Sequence, residues 1–194
     1  MTGTDVLRLQ LDASFNLIQG RLDGLTDEEW NARALPETSK PGFILWHCAR
    51  TLDWAIHSAL QGAPEVADRP RWRDSFPSGA LYGAGISDVV ADTLAGSVAR
   101  GDVIEYLGEV RPSVMDWLEG QTDATLDAKV QLRANQQHRQ EYLEPSVWAE
   151  VASLDGLPAW QFLTRPCISH IRVHMGEIEV LLQAIRSTSG ANRT

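Results

Sequence analysis

Residues 168–182 read ISHIRVHMGEIEVLL, a stretch in which apolar residues recur at helical spacing around two of the five histidines of the chain. His170 and His174 are four positions apart, so they point to the same side of an α-helix. Glu177 follows three positions later and projects from the same face. The stretch therefore predicts a long helix that presents two imidazoles and one carboxylate together.

Helical spacing of apolar residues recurs through the rest of the chain and predicts an all-α fold. No segment shows the alternation of apolar and polar residues that a strand at a sheet face requires. We predict four long helices: one ending near Gly24, one from Pro41 to Gly62, one within residues 87–119 that Pro112 kinks or breaks, and one from Trp160 or Pro166 to about Ile185.

The connections between these helices carry signals of their own. Thr26 and Glu29 have the spacing of a capping box, which predicts a short additional helix after the first long one. Residues 63–86 are rich in Gly and Pro and show no sustained period, so they form a long connection across the surface. A connection of this length often frames a functional site.

Length and composition predict one domain. The chain has 194 residues, of which 43% are hydrophobic and 22% are charged, and this is enough for one well-buried core but short for two. We predict a single helical domain over residues 1–188 and a flexible C-terminal tail over residues 189–194.

Charge and cysteine content limit the partners and the compartment. The formal net charge is −9, from 17 Lys plus Arg against 26 Asp plus Glu, which disfavours binding to nucleic acid. The N-terminus lacks the basic start and apolar run of a signal peptide, and no apolar run is long enough to span a membrane. We expect a cytoplasmic protein in which Cys48 and Cys167 are reduced, and a single disulfide between them is the alternative.

The paired histidines suggest a metal site. Two imidazoles do not complete a site for a transition metal, and His47, on the inward stripe of the second helix, is the candidate for a third ligand. Three neutral imidazoles would leave coordination positions open and would keep the charge of a divalent ion uncompensated, which favours catalysis over a structural role. Ile171 stands where a zincin would carry its general base, so the sequence does not support a metalloprotease.

An alternative interpretation requires no metal. His170 and His174 can instead be partly buried helix residues that hydrogen-bond to carbonyl groups or to Glu177. The spacing of the histidines does not by itself decide between a ligand pair and this structural role.

The order of motifs along the chain resembles the DinB/YfiT-like family of four-helix metalloproteins. The resemblance rests on LTDEEW, ILWHCARTLDW, a long loop and SHIRVHMGEI, and it covers almost the whole chain. It implies a DinB-like four-helix bundle with long connections and short additional helices, and a divalent metal site, with Zn or Ni as candidates, made of His47, His170 and His174. Glu177 stands where the family usually has Gln. The resemblance implies that Glu177 is a hydrogen-bond acceptor beside the site, a fourth ligand or a catalytic carboxylate.

The resemblance also implies a range of functions. Family members include thiol-dependent enzymes such as mycothiol-dependent maleylpyruvate isomerase and bacillithiol or mycothiol S-transferases. It thus favours a metal-dependent thiol S-transferase, or a related thiol-assisted enzyme, that acts on a small electrophilic molecule with a low-molecular-weight thiol as cosubstrate. The alternatives are a non-catalytic metal-binding or sensing protein and a structural bundle that pairs with another subunit, in line with the homodimers of the family.

Several further residues are weaker candidates. Three cations lie beside Trp72 in the sequence: Arg69, Arg71 and Arg73. They can bind the carboxylates of an anionic thiol or substrate, or they can be solvated residues of a loop. Cys167 lies three positions before His170 and can approach the metal as a thiolate, but a packed core residue is the simpler interpretation. His57 and His138 are expected to lie outside the site.

Overall fold

The structure of the protein is a computed structural model that describes residues 1–77 and 79–191. Its eleven α-helices within these ranges are α1 (Gly3–Gly24), α2 (Asp27–Asn31), α3 (Pro41–Trp54), α4 (Pro70–Ser75), α5 (Asp88–Ser97), α6 (Arg100–Glu119), α7 (Asp123–Leu126), α8 (Leu132–Asn135), α9 (Pro145–Val151), α10 (Ala159–Leu163) and α11 (His170–Ala191). The described residues form no β-strand, which confirms the all-α prediction. A lone antiparallel bridge joins Lys129 to Pro158.

Two wider π-helical segments and several 3-10 turns complete the helical structure of these ranges. The π-helical segments are Ala55–Gln61, which extends α3, and Thr164–Ser169, which joins α10 to α11. The 3-10 turns are Val66–Asp68, Gln136–His138, Gln140–Leu143 and Ala152–Leu154. The helix that begins at Pro41 therefore continues to Gly62, where a left-handed φ of 61° ends it as predicted.

The four long helical segments pack against one another around a shared core. Helix α1 contacts α3, α6 and α11, and α3 also contacts α6 and α11. The inward residues of α1 are fully buried, in agreement with the predicted apolar stripe: Leu11, Phe15, Ile18 and Leu22. This packing is consistent with the four-helix bundle that the family resemblance implies. Among the described helices, none combines the length and the hydropathy needed to cross a lipid bilayer.

The helical segment predicted within residues 87–119 is divided at Val98–Ala99 rather than at Pro112. Both residues at the division are extended, and the carbonyl of Val98 accepts a hydrogen bond from Nε1 of Trp30 at 3.1 Å. Pro112 lies inside α6 on an exposed face, where water can hydrate the Gly108 carbonyl that loses its N–H partner at residue 112, and the helix continues. A partner on α2 thus decides the boundary, and local periodicity does not reveal that partner.

The C-terminal helical region begins at Ala159 and changes register before the histidines. Pro166 lies in the π-helical segment Thr164–Ser169, where its lack of an N–H is compatible with a wider turn. Helix α11 is described to Ala191 and thus extends into the predicted tail, while residues 192–194 of that tail lie outside the described residues.

Candidate metal centre

Helices α3 and α11 bring three imidazole rings together in the core. The ring centroid of His47 lies 5.0 Å from that of His170 and 5.2 Å from that of His174, and the last two are 4.4 Å apart. Ligand nitrogens of the three rings all lie within 4.8 Å of one another. The structure therefore assembles the set of three histidines that the sequence analysis singled out.

Hydrogen bonds to the Nδ1 atoms orient two of these rings. Nδ1 of His47 is 2.5 Å from the carbonyl oxygen of Tyr82, which only accepts, so Nδ1 carries the proton. Nδ1 of His174 donates in the same way to Oε2 of Glu177 at 2.8 Å. When either ring is neutral, its lone pair is consequently on Nε2, the atom that can bind a metal. Glu177 contacts a histidine here and is outside the set of ligand atoms.

Burial keeps the rings of His47 and His170 neutral. It lowers the pKa of His47 to about 3, with further lowering from His170 and His174 and an opposing effect of the Tyr82 carbonyl. The pKa of His170 falls to about 4, again mainly through burial and then through His174, while Glu177 opposes the shift. Both rings are neutral at pH 7, and the neutral imidazole is the form that binds metal ions.

The nitrogen positions fit a divalent transition metal. Nε2 of His47 lies 2.9 Å from Nε2 of His170. Two nitrogens that bind one ion at about 2.1 Å are separated by about 3.0–3.4 Å, so this pair needs only a small adjustment. In the neutral cluster, the Nδ1 protons of His47 and His174 are donated to Tyr82 and Glu177. His170 can then donate at most one Nε2 proton to the Nε2 lone pairs of the other two rings. At least one of these two lone pairs is therefore free to bind a cation.

A cavity of about 480 Å³ opens beside the histidine cluster. His47 and His170 line it, and Trp54 and Tyr82 form an aromatic wall in which the two rings stack at 4.4 Å. The other lining side chains are mostly small or apolar, with Glu150 and Arg165 as the charged exceptions among the described lining residues. A ligand in this cavity would contact two of the three histidines, His47 and His170.

The predicted arginine cluster lies elsewhere. Arg69 pairs with Glu109 of α6 at 2.5 Å, and Arg71 pairs with Glu105 of the same helix. Neither residue lines the cavity beside the histidines, and the same is true of Arg73. The structure therefore does not bring these three arginines to the histidine cluster.

The remaining cysteines and histidines also lie outside the set of ligand atoms. Cys48 and Cys167 are free and fully buried, and burial raises the pKa of both thiols, so they are protonated at pH 7. His57 contacts Oδ1 of Asp53 at 2.6 Å and the hydroxyl of Ser113 at 2.8 Å. His138 is exposed. Each placement agrees with the simpler sequence interpretation.

Sequence reasoning missed the loop that supports His47. Gly83 has a φ of 96°, and a Cβ atom at this position would lie 2.8 Å from Nδ1 of His47. The absence of a side chain thus lets the chain pass close enough for the carbonyl of Tyr82 to accept from that ring. The signal available in the sequence was the cluster of glycines at residues 79–85, but a backbone acceptor has no residue type of its own.

The comparisons with known proteins agree with this geometry. A search of curated protein sequences finds no match for the chain. A family model described as the DinB superfamily matches residues 10–178, a range that contains the three histidines and Glu177. Because this match spans most of the 194 residues, the chain belongs to the DinB superfamily.

Proposed function

We propose that the protein binds one divalent metal ion, Zn or Ni, through the Nε2 atoms of His47, His170 and His174. The observation that carries this proposal is the approach of ligand nitrogens of three imidazoles from two helices to within 4.8 Å of one another, next to a cavity of about 480 Å³. Membership of the DinB superfamily supports it. A purely structural histidine cluster would not need an adjoining cavity lined by two of its members.

The proposed activity is metal-dependent transfer of a low-molecular-weight thiol to a small electrophile, or a related thiol-assisted reaction. When bound, an ion held by neutral ligands keeps its positive charge and lowers the pKa of a coordinated thiol. The contributions of the chain are orientation and exclusion of water: Glu177 holds the proton of His174, the Tyr82 carbonyl holds that of His47, and the aromatic wall shields the site. A cytoplasmic location belongs to the same proposal, since that compartment keeps thiols reduced.

Elemental analysis of tag-free protein tests the metal site. Wild-type protein purified without chelators or nickel resin should contain about one equivalent of metal, and His47→Ala should lose it. His138→Ala is the matched control, because that histidine is exposed and outside the cluster, and it should retain the metal. A metal-free wild type that also rejects Zn and Ni on reconstitution would show that the cluster is structural.

Thiol consumption separates an enzyme from a non-catalytic metal protein. The metal-loaded wild type should accelerate thioether formation and chloride release from cysteine and 1-chloro-2,4-dinitrobenzene, and His47→Ala should not. Retained metal without acceleration for a panel of thiols and electrophiles would favour the metal-binding or sensing alternative. Homodimerisation, which the family resemblance implies, remains a prediction that sedimentation velocity measures with and without metal.

A further inference from the structure

Arg165 lies at the wall of the cavity that adjoins the histidine cluster. It belongs to the π-helical segment Thr164–Ser169, and the cavity is lined from this part of the chain by Arg165, Pro166, Ser169, His170 and Val173. These positions recur at four-residue steps, so they form one stripe along the helical backbone. Arg165 and His170 thus face the same space, about 7 Å apart along the helix axis.

The guanidinium of Arg165 is available to a ligand. It makes no hydrogen bond or ion pair with any side chain in the described part of the protein, whereas most other arginines pair with carboxylates, as Arg21 does with Glu179 at 2.7 Å. The other charged residue of the cavity, Glu150, already accepts a hydrogen bond on Oε1 from the N–H of Gly85 at 2.7 Å. The cavity therefore presents one cation without a side-chain partner in the described residues, and one carboxylate that already accepts a backbone hydrogen bond.

We infer that the cavity takes a small thiol that carries a carboxylate, with the carboxylate bound by Arg165 and the sulfur directed to the histidine cluster. This inference rests on the proposed metal-binding function. One cation beside Glu150 suits a singly charged group better than a doubly charged phosphate in a chain with a net charge of −9. The spacing of Arg165 and His170 favours a short link between the carboxylate and the sulfur. The volume of about 480 Å³ leaves room for further substituents on that link.

The preference for an anionic thiol is measurable in protein loaded with cobalt(II), whose visible spectrum reports the metal site and any sulfur that binds to it. The probes are 3-mercaptopropionate and its neutral, nearly isosteric amide, 3-mercaptopropanamide. Wild-type protein should bind the carboxylate about tenfold more tightly than the amide, the value of one charge-assisted hydrogen bond.

Substitutions at exposed arginines assign the preference. Arg165→Ala should bind both thiols with the affinity that the wild type shows for the amide, and Arg165→Lys should restore part of the preference through its charge. Arg172→Ala is the matched control, because Arg172 is exposed on α11, donates to Gln10 and does not line the cavity. It should keep the full preference.

The outcomes distinguish this inference from the proposed function. Equal affinities of the wild type for the two thiols, or a preference that persists in Arg165→Ala, would overturn the role of Arg165 and leave the metal site intact. Failure of the wild type to bind cobalt would overturn the metal-binding function and this inference with it.

Discussion

Glu177 gives the histidine cluster a charge that a glutamine at the same position would not supply. Its carboxylate accepts from Nδ1 of His174 at 2.8 Å, which fixes the tautomer of that ring and increases the basicity of Nε2. The carboxylate side chain remains 40% exposed, so solvent weakens but does not remove its effect. Residue 177 thus acts through His174 rather than at the ligand atoms.

Substitution Glu177→Gln should weaken metal binding by about tenfold, because the amide oxygen still accepts the hydrogen bond but the negative charge is lost. Competition with a chromophoric chelator measures this change. Glu179→Gln is the control, since Glu179 lies on the same helix and pairs with Arg21 away from the cluster. Equal metal affinities for the wild type and Glu177→Gln would exclude an electrostatic role for the carboxylate.

Gly83 allows a second test at the level of single residues. Gly83→Ala would place a Cβ atom 2.8 Å from Nδ1 of His47, whereas Gly79, with a similar φ of 83°, has no atom within 4 Å of an added Cβ. Both alanine variants should lose about 1 kcal/mol of stability because of the left-handed backbone, and Gly83→Ala should lose more because of its close contact with His47. Only Gly83→Ala should also lose metal affinity, as measured by elemental analysis after equilibrium dialysis. The same metal content in both variants would contradict the role of this close approach.

At the level of elements, the sequence predicted helices well where local signals decide them. The capping box of Thr26 and Glu29 is present, with hydrogen bonds of 2.9 and 3.2 Å, and α1 follows its apolar stripe. Local signals also identified His47, because the inward face of α3 is a periodic pattern. They did not reveal the division at Val98 or the Tyr82 carbonyl, since both depend on contacts between residues distant in sequence.

Two glycine substitutions, one at the contact between α2 and α3 and one on the exposed face of α6, should have opposite effects on stability. A Cβ atom at Gly42 would lie 2.6 Å from Cε2 of the buried Trp30, so Gly42→Ala should cost about 1–3 kcal/mol. Gly108 is exposed in α6 with no atom within 4 Å, so Gly108→Ala should stabilise the protein by about 0.5–1 kcal/mol. Urea denaturation measures both changes. Equal effects of the two substitutions would contradict close packing of Trp30 on α3.

At the scale of the whole molecule, a buried polar network links α3, the connection after it and α6. Asp53 accepts from the N–H groups of Val66 and Ala67 at 3.0 Å, and it also contacts Arg50, His57 and Tyr106. Arg50 in turn donates to the carbonyl of Leu81 at 3.0 Å and pairs with Glu65 at 2.7 Å. Since Leu81 precedes Tyr82, the network holds the loop that orients His47.

The removal of one charge from this network should be strongly destabilising. Asp53 and Arg50 are almost completely buried, so Asp53→Asn leaves the Arg50 cation with less compensation and should cost about 3–5 kcal/mol. Urea denaturation of metal-free protein measures this difference. His57→Gln removes one partner of Asp53 without changing the carboxylate, so it should cost less and remain folded if Asp53→Asn does not fold.

The pH dependence of the same free energy follows from two opposite pKa shifts. Burial raises the pKa of Asp53, but His57, Arg50 and Tyr106 outweigh burial and lower the pKa below its ordinary 3.8. The ionised Asp53 therefore stabilises the fold fully above about pH 4, and this contribution is lost as the pH falls. Burial lowers the pKa of His57, but Asp53 and then Glu65 raise it above 6.5, so its contribution is complete below pH 6.5 and is lost as pH rises. The difference in unfolding free energy between wild type and His57→Gln should therefore be largest at about pH 4–6.5. If this difference does not vary between about pH 5 and pH 9, His57 is not ionised beside Asp53.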